Sequence, residues 1–355
     1  MKINGVAYRS IWLSDDGWSV NIFDQRQLPW RLDIVVLKTL EHAATAIREM
    51  WTRGAPLLAM TGAYGLALAL RDDPSDATLA QAYNHLLETR PTAINLKWAL
   101  DQVRAVAEPL QGQARVSAVY ALAGQLCDDD VKTNQMIGLH GLPLIRSAYQ
   151  KHPDRPVNIL THCNAGWLAT VDYGTATAPI YMAHDAGLPV HVWVDETRPR
   201  NQGALLTAYE LSEHGVPHTV IADNAGGLLM QQGQVDLCLV GADRVTRNGD
   251  TCNKIGTYLK ALAAEDNHVP FYVALPLSTF DSALEYGTQI PIEARSPTEV
   301  TFIEGLSEAG TLMRVKLTSS QAANPAFDVT PSRLVSGYIT EQGYCTALSD
   351  LKRTY

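Results

Sequence analysis

The stretch Val157-Asn158-Ile159-Leu160-Thr161-His162-Cys163-Asn164-Ala165-Gly166 decides how this chain is read. An apolar run of strand length ends in residues able to bind or react, and a glycine follows. The same figure returns downstream. Residues 190–194 run into Asp195-Glu196-Thr197-Arg198, residues 219–221 into Ala222-Asp223-Asn224, residues 237–240 into Gly241-Ala242-Asp243-Arg244, and residues 271–274 towards Pro276-Leu277-Ser278. Helical stretches over 176–186, 203–214 and 254–265 separate most of these runs. Strands and helices alternating at such lengths imply right-handed crossovers and a parallel sheet covered on both faces. The fold class expected is α/β with a Rossmann-like doubly wound sheet. Ligands of such sheets sit outside the carboxyl ends of the strands, so the five polar tips are expected to converge on one crevice.

Upstream the rhythm differs. His152-Pro153-Asp154-Arg155-Pro156 is turn-rich and reads as the end of a linker. Before it, helices are expected at about 77–88, 95–109, 114–129 and 131–149, and residues 57–70, rich in Ala, Gly and Leu, suit a tightly packed helix. Ile34, Leu37, Leu40, Ala44, Ile47 and Trp51 recur at three- and four-residue spacing, which predicts a single helix over 32–51. Val20-Asn21-Ile22-Phe23 ahead of Leu28-Pro29-Trp30 reads as a short strand or hairpin. Two domains follow: residues 1–150, mostly helical with a small β element, and residues 151–355, the Rossmann-like catalytic part.

With 355 residues, 46% hydrophobic and 18% charged, the chain has material for a large core. A formal charge of −9 argues against a duplex nucleic-acid partner, which needs a cationic surface to displace counterions. An anionic small molecule would instead need a local cationic pocket. Met1-Lys2-Ile3-Asn4-Gly5 opens no signal-peptide core, and no run reaches the roughly 20 apolar residues of a membrane span. A cytoplasmic location without membrane partners is expected. The five cysteines include no CxxC pair, so neither a disulfide framework nor a structural zinc site is suggested. His140, His152, His162, His191, His214 and His218 lack paired spacing on one helix face, so no metal is expected. Neither GxGxxG nor a P-loop occurs, which removes the sequence support for a nucleotide cofactor.

A lone cysteine is ordinarily a small buried hydrophobe. That is the reading of Cys238, mid-strand in Leu237-Cys238-Leu239-Val240, and Cys127, Cys252 and Cys345 are left structural. Cys163 differs, standing at a strand tip ahead of a helix start expected at Leu168 or beyond, whose amides would favour a thiolate. Asp243 ends an apolar strand, where a desolvated carboxyl titrates nearer neutrality, as a general acid requires. A helix N-cap or an ion pair with Arg244 is its plainer role. For Asp223 and Asp195-Glu196, capping or orientation stands level with substrate contact. Arg53 as a helix C-cap and Lys254 as a solvated helix residue are likewise the plainer alternatives.

Several motifs follow one another in a recognisable order: Arg53-Gly54-Ala55-Pro56, Arg90-Pro91-Thr92-Ala93-Ile94-Asn95-Leu96, residues 160–170, Asp195 through Gly203, Gly241-Ala242-Asp243-Arg244 through Asn253-Lys254-Ile255-Gly256-Thr257, and Asn324-Pro325-Ala326-Phe327-Asp328. In these, over nearly its whole length, the sequence resembles the methylthioribose-1-phosphate isomerases. The resemblance implies an isomerase of methionine salvage that shifts a hydrogen from C2 to C1 of a sugar phosphate, without a cofactor, as a homodimer. It implies catalysis by Cys163 and Asp243, and substrate binding by Arg53, Gly54, Ala55, Arg90, Gln202, Asn253 and Lys254. The chain departs from the pattern at Ala165, where threonine is common, and at Trp167, where the residue is usually small. Trp167, with Leu168 and Tyr173, is expected to line the pocket, and its bulk could reshape the site around C5 of the sugar. Two related substrates stay open, 5-deoxyribose 1-phosphate and ribose 1,5-bisphosphate. A different class also stays open, since regulatory subunits of translation initiation factor 2B share the fold; they are not expected to keep the Cys163 and Asp243 pair.

Overall fold

The structure, a computed structural model, describes residues 1–348. A hairpin of β1 (Lys2–Ile3) and β2 (Val6–Ala7) precedes a three-stranded antiparallel sheet of β3 (Ile11–Leu13), β4 (Val20–Phe23) and β5 (Ile34–Leu37). Helices α1 (Leu40–Arg48), α2 (Ala55–Asp72), α3 (Asp76–Thr89), α4 (Ile94–Ala107) and α5 (Gly112–Lys151) follow.

The single helix expected over 32–51 is therefore a strand and a helix. Ile34-Val35-Val36-Leu37 is mostly β-branched, which favours extended backbone, and it pairs with β4. Thr39 then starts α1, its hydroxyl accepting the His42 N–H at 3.1 Å. A strand joined to a helix reproduced the helical spacing, but Ile34 is 45% exposed while Leu37 is buried. The two helices expected over 114–149 are one helix of 40 residues. Asp130 stays inside it, buried, its carboxylate accepting from Asn134 Nδ2 at 3.0 Å and from the Val171 N–H at 2.7 Å. Pro143 lies within the same helix without ending it. The Ala, Gly and Leu-rich segment is α2, buried along nearly its full length and packed by α1, α3, α4 and α5.

The main sheet starts after α5. Its strands are β6 (Val157–Thr161), β7 (Val190–Asp195), β8 (His218–Ile221), β9 (Leu237–Val240), β12 (Phe271–Ala274), β17 (Gly337–Thr340) and β18 (Gly343–Cys345). They lie in the order β8-β7-β6-β9-β12-β17-β18, all parallel except β18. Helices α6 (Ala178–Asp185), α7 (Ala208–His214), α8 (Ala225–Gln231) and α9 (Thr257–Asp266) connect them. This is the doubly wound sheet expected. Alternate residues serve opposite faces: Ile159, Val192, Leu239 and Ile339 join a core with Ile137 of α5 and Ile180 of α6. Leu160, Cys238, Val240 and Val273 join another with Met230 of α8 and Ala261 of α9, so Cys238 is a core residue.

The chain runs from β6 outward to β8 and then returns to place β9 beside β6. Crossovers leave in opposite directions at that point, which opens a crevice outside the carboxyl ends of β6 and β9. A smaller sheet grows beside it from β13 (Phe280–Asp281), β10 (Arg244–Thr246), β11 (Thr251–Lys254) and β16 (Phe327–Thr330), while α10 (Thr298–Thr301) leads into the hairpin β14 (Phe302–Leu306) and β15 (Leu312–Lys316). No helix among the described residues is long and apolar enough to cross a membrane.

Candidate active site

At the end of β6 the backbone turns sharply. Cys163 adopts a left-handed φ of 66°, uncommon for a residue with a β-carbon. Two threonines hold it: Thr197 Oγ1 accepts the Cys163 N–H at 2.8 Å, and Thr207 Oγ1 donates to the Cys163 carbonyl at 2.7 Å. Thr207 closes the π-helical turn Gly203–Thr207 ahead of α7. Thr197 is itself placed by Asp223, whose carboxylate accepts the N–H groups of Thr197 and Arg198, both at 2.7 Å. Asp223 is thus an orienting residue. The helix start expected soon after Cys163 is not found there, because Trp167–Ala169 is a single 3₁₀ turn and α6 begins only at Ala178. Buried Glu210 holds that turn instead, accepting from the N–H groups of Trp167 and Leu168, Asn164 Nδ2 and the Tyr181 hydroxyl. Burial pushes Glu210 up to about 7 despite these donors.

The facing wall starts where β9 ends. The Asp243 N–H donates to the Cys252 carbonyl at 2.9 Å, which carries the chain into the β10–β11 hairpin and brings Asn253 and Lys254 back over the crevice. Lys254 Nζ donates to the Ala326 carbonyl at 2.9 Å and lies 4.2 Å from the centre of the Phe327 ring. The helical part supplies the remainder. Gly54, at φ 93°, lets α2 begin at Ala55, and a β-carbon there would stand 2.5 Å from Ala169 atoms. Arg53 donates to the Asn164 side-chain oxygen and, at 2.8 Å, to its carbonyl.

Arg53, Gly54, Ala55, Arg90, Cys163, Gln202, Asp243, Asn253 and Lys254 all border one cleft of about 70 Å³. Through Met50, Arg53 and Gln202, which border both, it adjoins a vestibule of about 400 Å³. Two expectations fail. Of the five polar tips, those after β6 and β9 line the cleft, that after β12 reaches it through Pro276 but not Ser278, and residues 195–198 and 222–224 do not border it, so the tips converge only in part. Trp167, Leu168 and Tyr173 are absent from its wall; Trp167 is fully buried and meets Phe23 edge-on at 6.0 Å, so its bulk serves the core. The sequence reading also missed Asn164 as the clamp of Arg53, a contact across 111 positions, and Met50, which lies beyond the end of α1 with φ 60°.

Burial raises the Cys163 thiol, with Arg53 and Lys254 pulling the other way, so the expected lowering of this thiol is not met. Burial likewise raises Asp243 against the pull of Lys254, Arg53 and Arg90, and it lowers Lys254. Asp243 caps no helix, and Arg244 pairs with Asp281 at 3.3 Å instead. Behind the cleft, His162 Nδ1 lies 2.7 Å from Asp195 and its Nε2 2.8 Å from the Ile255 carbonyl. His162, Asp195 and Asp223 bring ligand-type atoms within 4.8 Å of one another, a grouping not visible in the sequence. The Lys260 ammonium already sits there, 3.2 Å from Asp195 and bonded to the Asp223 carbonyl. A larger cavity of about 790 Å³ lies beyond Pro56 and Pro276, but no Lys, Arg or His among the described residues lines it. Charge, more than size, marks the smaller cleft.

Residues 51–347 match the model of the initiation factor 2 subunit family. The chain belongs to that family. Within it, the chain is 59% identical over 351 residues to the methylthioribose-1-phosphate isomerase of Methylocella silvestris, covering 98% of this chain and 96% of the relative. Among solved structures, the 5-methylthioribose 1-phosphate isomerase of Pyrococcus horikoshii OT3 superposes with a TM-score of 0.80 at 38% identity, over 97% of this chain and 96% of that one. The translation initiation factor eIF-2B, subunit delta, from A. fulgidus superposes with a TM-score of 0.78 at 36% identity, over 95% and 96% of the two chains. The family resemblance read from the motifs is borne out.

Proposed function

We propose that this protein converts S-methyl-5-thioribose 1-phosphate into S-methyl-5-thioribulose 1-phosphate, with Asp243 as general acid and Cys163 as base or charge stabiliser. One observation carries the reading: a thiol and a carboxyl, both raised by burial, share a small cleft with Arg53, Arg90 and Lys254. The names of the relatives supply the substrate class.

The phosphate ester at C1 prevents spontaneous opening to an aldehyde, so the ring oxygen must be protonated as its bond to C1 breaks. A carboxyl kept in its acid form by burial suits that step. In one route hydride then leaves C2 for C1, and the C2 hydroxyl becomes the ketone by returning a proton to Asp243. In the other, the Cys163 thiolate takes the C2 proton to form an enol phosphate, then returns it to C1 as the C2 hydroxyl gives its proton to the Asp243 carboxylate and becomes the ketone. Burial disfavours that thiolate, which weighs towards hydride transfer with a neutral thiol steadying charge. In both routes C1 is reduced as C2 is oxidised, so the redox change is internal.

The vestibule presents Met50, Leu205, Leu206, Phe302 and Ile303 to the far end of the sugar. Three of its arginines already have acidic partners, Arg26 with Asp24, Arg200 with Glu299 and Arg314 with Glu304, and Arg53, shared with the cleft, is bonded to Asn164. An apolar methylthio group fits that surface better than a second phosphate. Relative turnover on the methylthio, 5-deoxy and 1,5-bisphosphate sugars tests the substrate, with the first expected to be fastest. Substrate deuterated at C2 tests the route: retention at C1 is expected, and substantial loss to solvent rules out hydride transfer. The A. fulgidus neighbour favours a second reading, a binding protein without chemistry. Sugar-phosphate binding with no turnover would establish it.

A further inference from the structure

We propose that Glu293 is a positioning residue, which holds the Arg90 guanidinium at one corner so that its free edge meets an anionic group of the ligand. The proposal rests on the reading of the cleft as a sugar-phosphate site. Arg90 ends α3, and its NH2 donates to Glu293 Oε2 at 3.1 Å. The pair is largely shielded, the side chains being 12% and 20% exposed. Arg90 Nε is buried with no hydrogen-bond partner, although the residue borders the cleft beside Cys163 and Asp243. A buried N–H without an acceptor is destabilising, and a phosphate oxygen is a strong acceptor for a guanidinium.

Glu293 is itself held in place. Its Oε1 accepts from Arg295 NH1 at 3.0 Å, and Arg295 pairs with Glu299 at 2.6 Å. Glu299 also accepts from Arg200 at 3.1 Å and from Asn324 Nδ2 at 2.9 Å. Arg295 and Arg200 draw Glu299 down to about 2 in spite of burial, so Glu299 stays ionised at neutral pH. This alternating row of charges runs from the cleft to the vestibule wall, where Arg200 and Glu299 appear again. An arginine fixed in this way enters ligand binding with its rotamers already chosen, and with its Nε still to be satisfied.

Two effects of Glu293 on anion binding have opposite signs, which makes the proposal decidable. Its negative charge repels an anion, so charge alone predicts tighter binding when it is removed. Positioning predicts weaker binding, because Arg90 regains its freedom. Calorimetric titration of the full-length chain with inorganic phosphate separates them. We expect Glu293→Gln to bind phosphate roughly tenfold more weakly, about 1.4 kcal/mol, and Glu293→Ala more weakly still, with thermal midpoints close to the native one. Affinity equal to or tighter than native in Glu293→Gln overturns the proposal, as does a native protein that binds no phosphate. Should the Glu293 variants fail to fold, Arg295→Lys carries the test, because it keeps the positive charge but loses the fork that holds Glu293: weaker binding supports the proposal and unchanged or tighter binding overturns it. The probe needs no turnover, so a native protein inactive on the sugar phosphate would sink the substrate reading while phosphate binding still judged Glu293.

Discussion

Replacing Asp243 by Asn exchanges one oxygen for an amide nitrogen at nearly constant volume. The backbone of Asp243 stays anchored through its N–H to the Cys252 carbonyl, and no hydrogen bond reaches its carboxyl oxygens among the described residues. No partner is orphaned, so stability should stay within about 0.5 kcal/mol of native. What the variant loses is the proton. Loss of a general acid slows a reaction by roughly 10² to 10⁴, about 3 to 5.5 kcal/mol on the barrier. Arg53, Arg90 and Lys254 remain on the wall, so kcat should fall while KM moves little. Phosphorus NMR of the sugar phosphates would follow the conversion directly. The pH dependence has a definite sign: burial raises Asp243, so native turnover is sustained below its raised pKa and declines as pH rises through it. Residual turnover of the variant should lack that decline. A variant within tenfold of native turnover, or one that keeps the same alkaline limb, would refute the assignment.

Cys163→Ser should lower turnover at least a hundredfold, as expected of a group acting at the reacting carbons, with an unchanged unfolding curve; near-native turnover removes the sulfur from the mechanism. Gly54→Ala adds a β-carbon 2.5 Å from Ala169 backbone atoms at φ 93°. Urea unfolding should show a loss of at least about 2 kcal/mol, and a silent substitution would mean that the turn at Gly54 is not constrained as described. Glu210 titrates near 7 in the fold against an ordinary 4.5. Between those values the folded state keeps a proton that the unfolded chain has released, so stability should fall as pH rises through the window, by roughly 3 kcal/mol in all. Glu210→Gln should flatten that dependence, and parallel stability curves for the two proteins would contradict it.

The parts of the fold visible in the sequence were those whose signal is local. β6, β7, β9 and β12 showed as short apolar runs, and Cys163 and Asp243 stood out because a reactive residue directly follows such a run. β5 did not show, since Ile34 and Leu37 satisfied a helical spacing that belonged to two elements. The hairpin of β10 and β11 is held by pairing with β16, far along the chain, and Thr251-Cys252-Asn253-Lys254 carries no alternation of its own. The state of Cys163 was misjudged for the same reason: local order suggested a helix dipole, whereas the burial that raises the thiol comes from the assembled cleft. The links of Arg53 to Asn164 and of Arg90 to Glu293 join distant segments, and residue identity alone cannot announce them.

The long helix α5 has a mechanical consequence. Val119, Ala123 and Leu126 near its start belong to the helical core, whereas Ile137 and Ile145 near its end belong to the core of the main sheet. One rod therefore spans two interiors, and a fragment cut at its end would leave the Ile137 and Ile145 face bare to water. Melting should accordingly proceed as one cooperative transition, with neither half surviving the other.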